Sequence, residues 1–574
     1  MNKERVRFAG ALVFLSLLLV GGCSSEDAQS ARSRAAAPQN ILTFEEAVKK
    51  NETLLGSVTW QEEHTTRRAK IQLRTNADLK AALPAITKFP LVVNPVRGTN
   101  GIVAEIFSSS EKAGKGTDGW LVEVAKGFNA SGARVNGRPA RVAVRKIASG
   151  TGYQYIASSK YIPDAFSPSN HLWVRMAQAH DIAMTPISER LVGNTAGIVM
   201  KDDVAKRLAE VYPSVGVASL IDAVVQGRLV MGYTNPFASS TGLNFLVTVL
   251  STFAEADENR LLEPDVAGAF ESFQRGVPYV ALTTLQMRDS VASGGQLDAF
   301  VMERQTFRKA TALRTGYRFI PFGVRHDNPL YAVGDLTSGK RRVLEAFARF
   351  AASDKYVSLA KDYGFNSDAS YVSDVPLPQG STLVRAQKLW KEKKDAGRPI
   401  AAVFLADVSG SMSGSRLARV KAALKAGAEF VAPKNSIGLV GFSDVVNVLV
   451  PIRRFDLNQK AAFLAAVEDL DAGGGTAMYD GILVALDQLV KAKKTSPDIK
   501  PILFVLTDGE TTAGFRLKQV EDTIRGLRIP VYTLGYEARI AELARLSSIV
   551  EAASINADKD EVTYKIGNLL NAQM

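Results

Sequence analysis

The stretch that decides the fold of the C-terminal part is Ile400-Ala-Ala-Val-Phe-Leu-Ala-Asp407-Val-Ser409-Gly-Ser411-Met412. The unbroken apolar run 400–406 is typical of a strand that is buried on both faces of a parallel sheet. The run ends directly at Asp407, and two serines follow within a short glycine-containing loop. Ligands of open α/β sheets collect at the carboxyl ends of the strands, so we expect a binding site at this loop.

Two further segments repeat this arrangement. The glycine-rich stretch Gly473-Gly-Gly-Thr476 precedes a predicted helix over 481–490, and the apolar run 501–506 ends at Thr507-Asp508-Gly509. Hydroxyl and carboxylate oxygens are the ligands that Mg²⁺ prefers, and they also suit Mn²⁺ or Ca²⁺. The sequence therefore predicts a divalent-cation site made of Asp407, Ser409, Ser411, Thr476 and Asp508.

These five residues resemble the metal-ion-dependent adhesion site of von Willebrand factor type A domains. The resemblance covers residues 400–574 and implies a doubly wound, Rossmann-like α/β domain. It also implies that an acidic residue of a protein partner completes the coordination, so that the domain binds and does not catalyse. Each motif alone also fits an ordinary turn or helix start. A metal-dependent hydrolase is a weaker alternative, because the motifs supply no general base or nucleophile beyond the ligands.

Residues 85–365 alternate between strand-like and helix-like apolar periods, which indicates a second α/β unit. Strands are predicted at 90–94, 101–107, 142–147 and 229–233, and two amphipathic helices over 340–364 close the unit.

This unit resembles the two-lobed solute-binding proteins of bacterial transport systems, the type II periplasmic-binding-protein-like fold. The resemblance rests on Ser108-Ser-Ser110, Ser149-Gly-Thr151 and the segments 163–169, 232–242 and 327–333. It implies two α/β lobes joined by chain crossovers, which we expect near residues 190 and 320.

Hydroxyl groups gather at loops of this second unit. At 239–242, two serines, a threonine and a glycine stand where a helix begins, and such a helix N-terminus attracts anions. The same residues can equally serve as a helix cap. The loop 149–152 is likewise either an anion cradle or a plain turn. The predicted ligand-binding residues for a small solute or oxyanion are Ser109, Ser149, Thr151, Ser240 and Thr241.

The N-terminus carries the features of an export signal. Basic residues at positions 3, 5 and 7 precede the apolar run 11–20, and small residues lead to Cys23, the one cysteine of the chain. The pattern resembles the lipobox of bacterial lipoproteins, which implies lipidation of Cys23. The alternative is an ordinary signal peptide with an incidental cysteine. We expect a lipid-anchored protein of the cell membrane or, as Ser24 favours, the outer membrane, exposed to the periplasm or the exterior.

The predicted organisation has five parts: signal peptide and lipobox 1–23, tether and N-terminal extension 24–84, solute-binding-like domain 85–365, linker 366–399, and the C-terminal domain 400–574. Pro376, Pro378 and Gly380 predict the linker, with a short connecting helix near 389–394. Residues 40–84 fit neither domain pattern and are expected to pack on one of them.

The charge and composition of the chain bear on which partners it can have. The 574 residues carry a net charge of +12 with four scattered histidines. An exported protein rarely meets nucleic acid, so we exclude that partner. The sequence predicts a membrane-anchored envelope binding protein that is not an enzyme. The alternative is the substrate-binding component of an ABC-type transport system.

Overall fold

The computed structural model describes residues 42–71, 83–95, 101–281, 283–292, 297–395, 397–509, 511–536, 540–549 and 554–556. The predicted signal peptide 1–23, with Cys23, lies outside the described residues. In the part of the chain that is described, no helix combines the length and the hydropathy needed to cross a bilayer.

The secondary-structure elements alternate along both predicted domains. The strands are β1 (Trp60–Glu62), β2 (Leu91–Val93), β3 (Ile102–Ser108), β4 (Arg134–Val135), β5 (Arg138–Lys146), β6 (Ala165–Ser167), β7 (Met184–Ser188), β8 (Asn194–Lys201), β9 (Met231–Thr234), β10 (Tyr279–Ala281), β11 (Ala299–Glu303), β12 (Tyr317–His326), β13 (Leu330–Val333), β14 (Ile400–Asp407), β15 (Ser436–Phe442), β16 (Val446–Arg454), β17 (Lys500–Thr507), β18 (Val531–Gly535) and β19 (Ser554–Asn556). The α-helices are α1 (Phe44–Leu55), α2 (Trp120–Ala130), α3 (Ser149–Ala157), α4 (Leu172–Gln178), α5 (Asp202–Val211), α6 (Val217–Val225), α7 (Ser240–Phe253), α8 (Pro264–Arg275), α9 (Thr284–Ala292), α10 (Arg304–Lys309), α11 (Ser338–Ala351), α12 (Asp354–Asp362), α13 (Gly380–Lys393), α14 (Ser415–Gly427), α15 (Leu457–Asp469), α16 (Met478–Thr495), α17 (Leu517–Leu527) and α18 (Ile540–Ile549).

The C-terminal domain is one mixed sheet with the strand order β1-β16-β15-β14-β17-β18-β19. Its central strand β14 is buried along its whole length and pairs in parallel with β15 and β17. Phe404 on one face of β14 packs with α14 and α15 residues, whereas Leu405 on the other face packs with α16 and α17 residues. Both faces of the sheet are therefore covered, which explains the unbroken apolar run that predicted this strand.

The N-terminal segment 42–71 belongs to this C-terminal domain. Strand β1 pairs in parallel with β16 and so forms an edge of the sheet. Helix α1 packs on α16 and α17, with Ala47 fully buried, and Asn51 Nδ2 donates to the Leu483 carbonyl at 3.3 Å. Of the segment 40–84, the described residues 42–71 therefore pack on the C-terminal domain. The solute-binding-like unit is consequently an insertion between β1 and β14.

The inserted unit consists of two lobes, each built on its own sheet. The first lobe has the order β2-β5-β3-β6-β13-β7, and the second has the order β10-β9-β11-β8-β12. The chain crosses between the lobes at 189–193, between β7 and β8, and again at 327–329, between β12 and β13. The first crossover lies where the sequence predicted it. The second lies slightly later, because β12 continues to His326.

Within the predicted linker 366–399, residues 380–393 form the long helix α13, which begins well before the short connecting helix predicted near 389–394. The helix begins against the Arg175 carbonyl, where a Cβ at Gly380 would come within 1.9 Å, and Leu383 packs into the first lobe. Further along, Trp390 Nε1 donates to the Tyr233 hydroxyl of the second lobe at 2.6 Å. Helix α13 therefore packs against both lobes before the chain enters β14.

Candidate metal centre and interlobe cleft

The carboxylate of Asp407 is held in a fixed orientation at the end of β14. The Ser409 N–H donates to Asp407 Oδ1 at 2.9 Å, and the Thr507 hydroxyl donates to Oδ2 at 2.6 Å. Thr507 is the last residue of β17, the strand next to β14. Two neighbouring strand ends thus place Asp407 at the carboxyl edge of the sheet, where a ligand site is expected.

The other loops of the candidate site are tied to this strand end. The hydroxyls of Ser409 and Ser411 lie 3.0 Å apart, with Ser409 buried and Ser411 exposed. The loop before α16 is fixed beside them, because the Gly410 N–H donates to the Gly474 carbonyl at 2.9 Å. Thr476 is buried at the end of this loop. The structure therefore brings the three predicted motifs to one edge of the sheet.

Asp508 follows directly after Thr507 and is also buried. Its Oδ2 lies 3.5 Å from the Arg416 guanidinium, which also donates to the Ser411 carbonyl at 2.8 Å. Its Oδ1 is buried and has no hydrogen-bond partner among the described residues. A buried carboxylate oxygen without a partner is costly, so this atom is suited to a ligand that brings positive charge.

The electrostatics of the site point the same way. Burial raises the pKa of Asp407, and the nearby charge of Asp508 adds to the rise, although the hydrogen bonds from Ser409 and Thr507 oppose it. A bound cation would compensate both carboxylates. The set of two carboxylates and three hydroxyls contains only oxygen donors, which fits a hard cation such as Mg²⁺. Among the described residues, no group of three or more His, Cys, Asp and Glu side chains forms a separate candidate metal site.

Sequence reasoning missed three supporting residues of the candidate metal site. Thr507 orients Asp407, Arg416 contacts Asp508, and Thr512 Oγ1 accepts from the Thr476 N–H at 2.9 Å. Thr507 stands directly before a predicted ligand, so its position in the sequence was a usable signal. Arg416 and Thr512 gave none, because their roles depend on how separate loops meet.

The hydroxyls predicted for the second domain lie around the cleft between the lobes, which we call the interlobe cleft. The predicted turn at 149–152 is the first turn of α3, and Ser149 and Thr151 on it are buried. Ser240 and Thr241 occupy the first turn of α7, and the Ser240 hydroxyl accepts from Trp173 Nε1 at 2.8 Å. Ser239 caps this helix, since its hydroxyl accepts from the Gly242 N–H at 3.3 Å.

Ser109 lies in the first lobe, directly after β3, beside two charged residues that sequence reasoning did not single out. Its hydroxyl donates to Glu111 Oε1, and the Lys112 ammonium donates to the same hydroxyl. The Ser169 hydroxyl also donates to Glu111 Oε1, at 2.7 Å, and Ser149 Oγ lies 3.5 Å from Ser169 Oγ. The first-lobe hydroxyls are therefore gathered around one buried carboxylate.

A second buried carboxylate, Glu303, lies on the other lobe. Its Oε1 accepts from the Thr241 hydroxyl at 3.3 Å and lies 2.9 Å from His326 Nδ1. His326 is fully buried, and its Nε2 lies 3.0 Å from Asn170 Nδ2 of the first lobe. Burial raises the pKa of Glu303, and the charge of Glu111 adds to this, whereas His326 and Lys112 lower it. The charges of Glu111 and Glu303 therefore interact across the interlobe cleft.

Direct contacts hold the lobes together. The Arg288 guanidinium of the second lobe lies 3.3 Å from Asp118 Oδ2 of the first. Gln305 Nε2 donates to the Thr117 carbonyl at 3.0 Å, and the Gly150 N–H donates to the Ala238 carbonyl at 3.2 Å. The two lobes are therefore in a closed arrangement in this structure.

The fold is that of a chain with two α/β domains, a C-terminal one and an inserted two-lobed one. Comparison with protein families identifies both. The von Willebrand factor type A domain family matches residues 402–569, and the bacterial extracellular solute-binding protein family matches residues 113–366. The chain therefore contains a von Willebrand factor type A domain and a solute-binding domain of an extracellular family, as the sequence predicted.

Curated relatives match a part of the chain. Inter-alpha-trypsin inhibitor heavy chain H1 of Mesocricetus auratus is 36% identical over 146 residues, which is 23% of this chain and 16% of that protein. The chain thus spans less than a fifth of the length of this relative.

Solved structures similar to parts of the chain include a von Willebrand factor type A protein from Catenulispora acidiphila, with 21% identity, a TM-score of 0.27 and coverage of 30% of this chain and 42% of the other. The sulfate-binding protein SubI from Mycobacterium tuberculosis H37Rv has 13% identity and a TM-score of 0.33, covering 48% of this chain and 92% of its own.

Proposed function

We propose that this protein is a lipid-anchored envelope protein that binds a divalent cation and, through it, an acidic side chain of a protein partner. The cation is Mg²⁺, with Mn²⁺ or Ca²⁺ as substitutes, and its ligands are Asp407, Ser409, Ser411, Thr476 and Asp508. The observation that carries the proposal is the buried Oδ1 of Asp508, which has no partner among the described residues.

Coordination chemistry supports the role of the partner. Mg²⁺ takes about six oxygen ligands in octahedral geometry. The five side chains do not all bind directly if the two aspartates act through water, and Ser411 lies at the exposed side of the site. A coordination position facing solvent is therefore available for a carboxylate from outside. Among the described residues, we assign no acid, base or nucleophile to the site beyond the proposed ligands, and we therefore propose binding and not catalysis.

Titration of the chain lacking residues 1–23 with Mg²⁺ tests the cation site. Calorimetry should show one saturable site, and the cation should raise the melting temperature because it binds only the folded state. Asp508→Asn keeps the shape of the side chain but should abolish both effects. The matched control is Asp471→Asn, an exposed aspartate of the loop before Thr476, which should bind as the parent does. Equal binding by the Asp508→Asn variant would refute the site.

Partner binding is tested separately. The parent chain, immobilised with Mg²⁺, should retain from envelope extracts a protein that EDTA releases, and Asp407→Ala should retain none. Retention that is indifferent to EDTA would refute cation-mediated binding.

The anchor has its own test. Lipidation of Cys23 predicts that the expressed protein sediments with membranes and carries acyl chains by mass spectrometry. The Cys23→Ser variant should appear in the soluble fraction. Recovery of unmodified parent protein in the soluble fraction would refute the anchor.

The family match of residues 113–366 favours a second candidate function, in which the protein delivers a small solute to an ABC-type permease. This function requires saturable binding of the solute in the interlobe cleft. The fused von Willebrand factor type A domain has no role in such delivery, and we therefore rank this function second.

A further inference from the structure

The hydroxyl cluster of the first lobe is an anion site by its chemistry. The hydroxyls of Ser109 and Ser169 both point their donors at one oxygen, Oε1 of Glu111. Glu111 is 6% exposed, so water does not replace these donors. Two hydroxyl donors that converge on one buried point are what a small oxyanion or carboxylate requires. Here the carboxylate of Glu111 occupies that position.

The positive charge beside this position is the Lys112 ammonium, and it already has partners. Lys112 is fully buried, and its ammonium donates to Ser109 Oγ and, at 2.8 Å, to the Ser167 carbonyl. Glu111 Oε1 lies 3.9 Å from the same ammonium. A buried ammonium needs a compensating charge, and Glu111 supplies it.

The second lobe adds a further negative charge. Glu303 accepts from the Thr241 hydroxyl at 3.3 Å and is 2% exposed. A solute anion that entered the closed interlobe cleft would therefore meet the buried carboxylates of Glu111, Glu303 and Asp118, together with the Lys112 ammonium and the Arg288 guanidinium. Both cations already lie next to a carboxylate of the cleft, Lys112 next to Glu111 and Arg288 next to Asp118, so neither is left to compensate the charge of a solute anion. The interlobe cleft thus opposes a further anion.

We propose that Glu111 is a built-in ligand of the interlobe cleft: its carboxylate occupies the anion position formed by Ser109, Ser169 and Lys112, and a solute anion is thereby excluded. This role of Glu111 does not depend on the metal site. The domain then closes without an anionic solute and holds the two ends of the von Willebrand factor type A domain in a constant arrangement.

Chemical rescue tests this proposal. Glu111→Ala removes the internal carboxylate and leaves the hydroxyls and Lys112 in place. Acetate or formate at low millimolar concentration should then bind the variant saturably and raise its melting temperature by several degrees. The parent chain should bind at least tenfold more weakly, with no shift at these concentrations. Sulfate and phosphate serve as second probes, and chloride corrects for ionic strength.

Asp118→Asn is the matched control, because Asp118 is a buried carboxylate of the same cleft that pairs with Arg288 and accepts from none of these hydroxyls. It should show no rescue by acetate. A folded Glu111→Ala chain that binds none of the four anions would overturn the proposal, and so would equal rescue of the Asp118→Asn chain. Measurements of anion binding to the parent chain test the proposal without depending on the folding of a variant. Saturable binding of acetate or sulfate in its interlobe cleft, seen as added amide-exchange protection at 149–152, would also overturn it.

Discussion

Trp60 lies opposite Val446 in a parallel strand pair, so the edge strand of the C-terminal sheet comes from the N-terminal end of the described chain. Helix α1, just before this strand, covers α16 and α17. The von Willebrand factor type A domain is therefore completed by residues that stand before the solute-binding domain in the sequence. Stability of the C-terminal domain should depend on this distant segment.

Ala47→Arg tests that dependence. Ala47 is fully buried against α17, where a Cβ on Gly526 would come within 2.6 Å of the Ala47 Cβ, so an arginine has no room. We expect a loss of about 2–4 kcal/mol from overpacking and burial of a charge. The loss should appear as a lower melting temperature of the C-terminal domain and faster proteolysis within 42–71. Lys49→Arg, at an exposed position of the same helix, should leave both unchanged; an equal effect of both substitutions would contradict the contact.

Arg416→Gln is predicted to tighten cation binding. The Arg416 guanidinium lies 3.5 Å from Asp508 Oδ2, so a bound cation must share this carboxylate with another positive charge. Because Arg416 is one third exposed, solvent screens part of the repulsion. We expect a three- to tenfold lower Kd for Mg²⁺, or at most about 1.4 kcal/mol. Calorimetry checks this, with Lys425→Gln on the same helix as the control. Weaker binding by the Arg416→Gln chain would show that the arginine supports the site.

Gly150→Ala should hold the lobes apart. A Cβ at this position would lie 2.0 Å from the Phe237 carbonyl oxygen of the second lobe, at a backbone contact that cannot shift cheaply. We expect the closed arrangement to lose about 1–3 kcal/mol. Small-angle scattering should then show a larger radius of gyration. Gly268→Ala, whose Cβ would meet no atom within 4 Å, is the control. An unchanged radius in the Gly150→Ala chain would contradict the closed arrangement.

Lys394 lies at the junction between the domains, and its titration should make the free energy of unfolding depend on pH. Burial lowers the pKa of Lys394 to about 8, although its partner Asp395 opposes the shift. The unfolded chain keeps this proton up to its ordinary pKa of 10.5, so unfolding takes up protons between these values. The free energy of unfolding should therefore rise as the pH increases from 8 towards 10.

Comparison of melting temperatures at pH 7.5 and 9.5 checks the role of Lys394. The parent chain should gain more, or lose less, than Lys394→Met over this interval, since the variant lacks the titrating ammonium. Asp395 keeps its 2.8 Å contact with Lys500 in that variant. Lys388→Met, at an exposed position of α13, should behave as the parent does. Identical pH responses of parent and Lys394→Met would refute the assignment.

The strand ends of the metal site could be predicted because Asp407 and Asp508 each stand next to a strand in the sequence. Asp407 follows 400–406, and Asp508 follows β17, so topology alone brings them to one edge. Metal binding itself stays a prediction. The carboxylates of the interlobe cleft could not be found in this way, since Glu111 and Glu303 come from separate lobes, and burial of a charge leaves no mark on local sequence.

The errors have equally specific causes. Pro376, Pro378 and Gly380 predicted a linker with only a short helix near 389–394, but tertiary packing of Leu383 and Trp390 extends the helix over residues 380–393 and joins it to the solute-binding domain. Strand β1 has only three residues, too few to show a period of two, so its place in the distant sheet was not visible.

The pairing of Trp60 with Val446 also sets an order of events during synthesis. Strand β1 leaves the ribosome long before β16 exists, whereas the inserted domain has its own two sheets and can fold in between. Once folded, this domain brings its two ends together and shortens the loop that must close, which lowers the entropic cost of the last strand pairing. Refolding from denaturant should therefore proceed in two phases, with the solute-binding domain first and the sheet around Asp407 last.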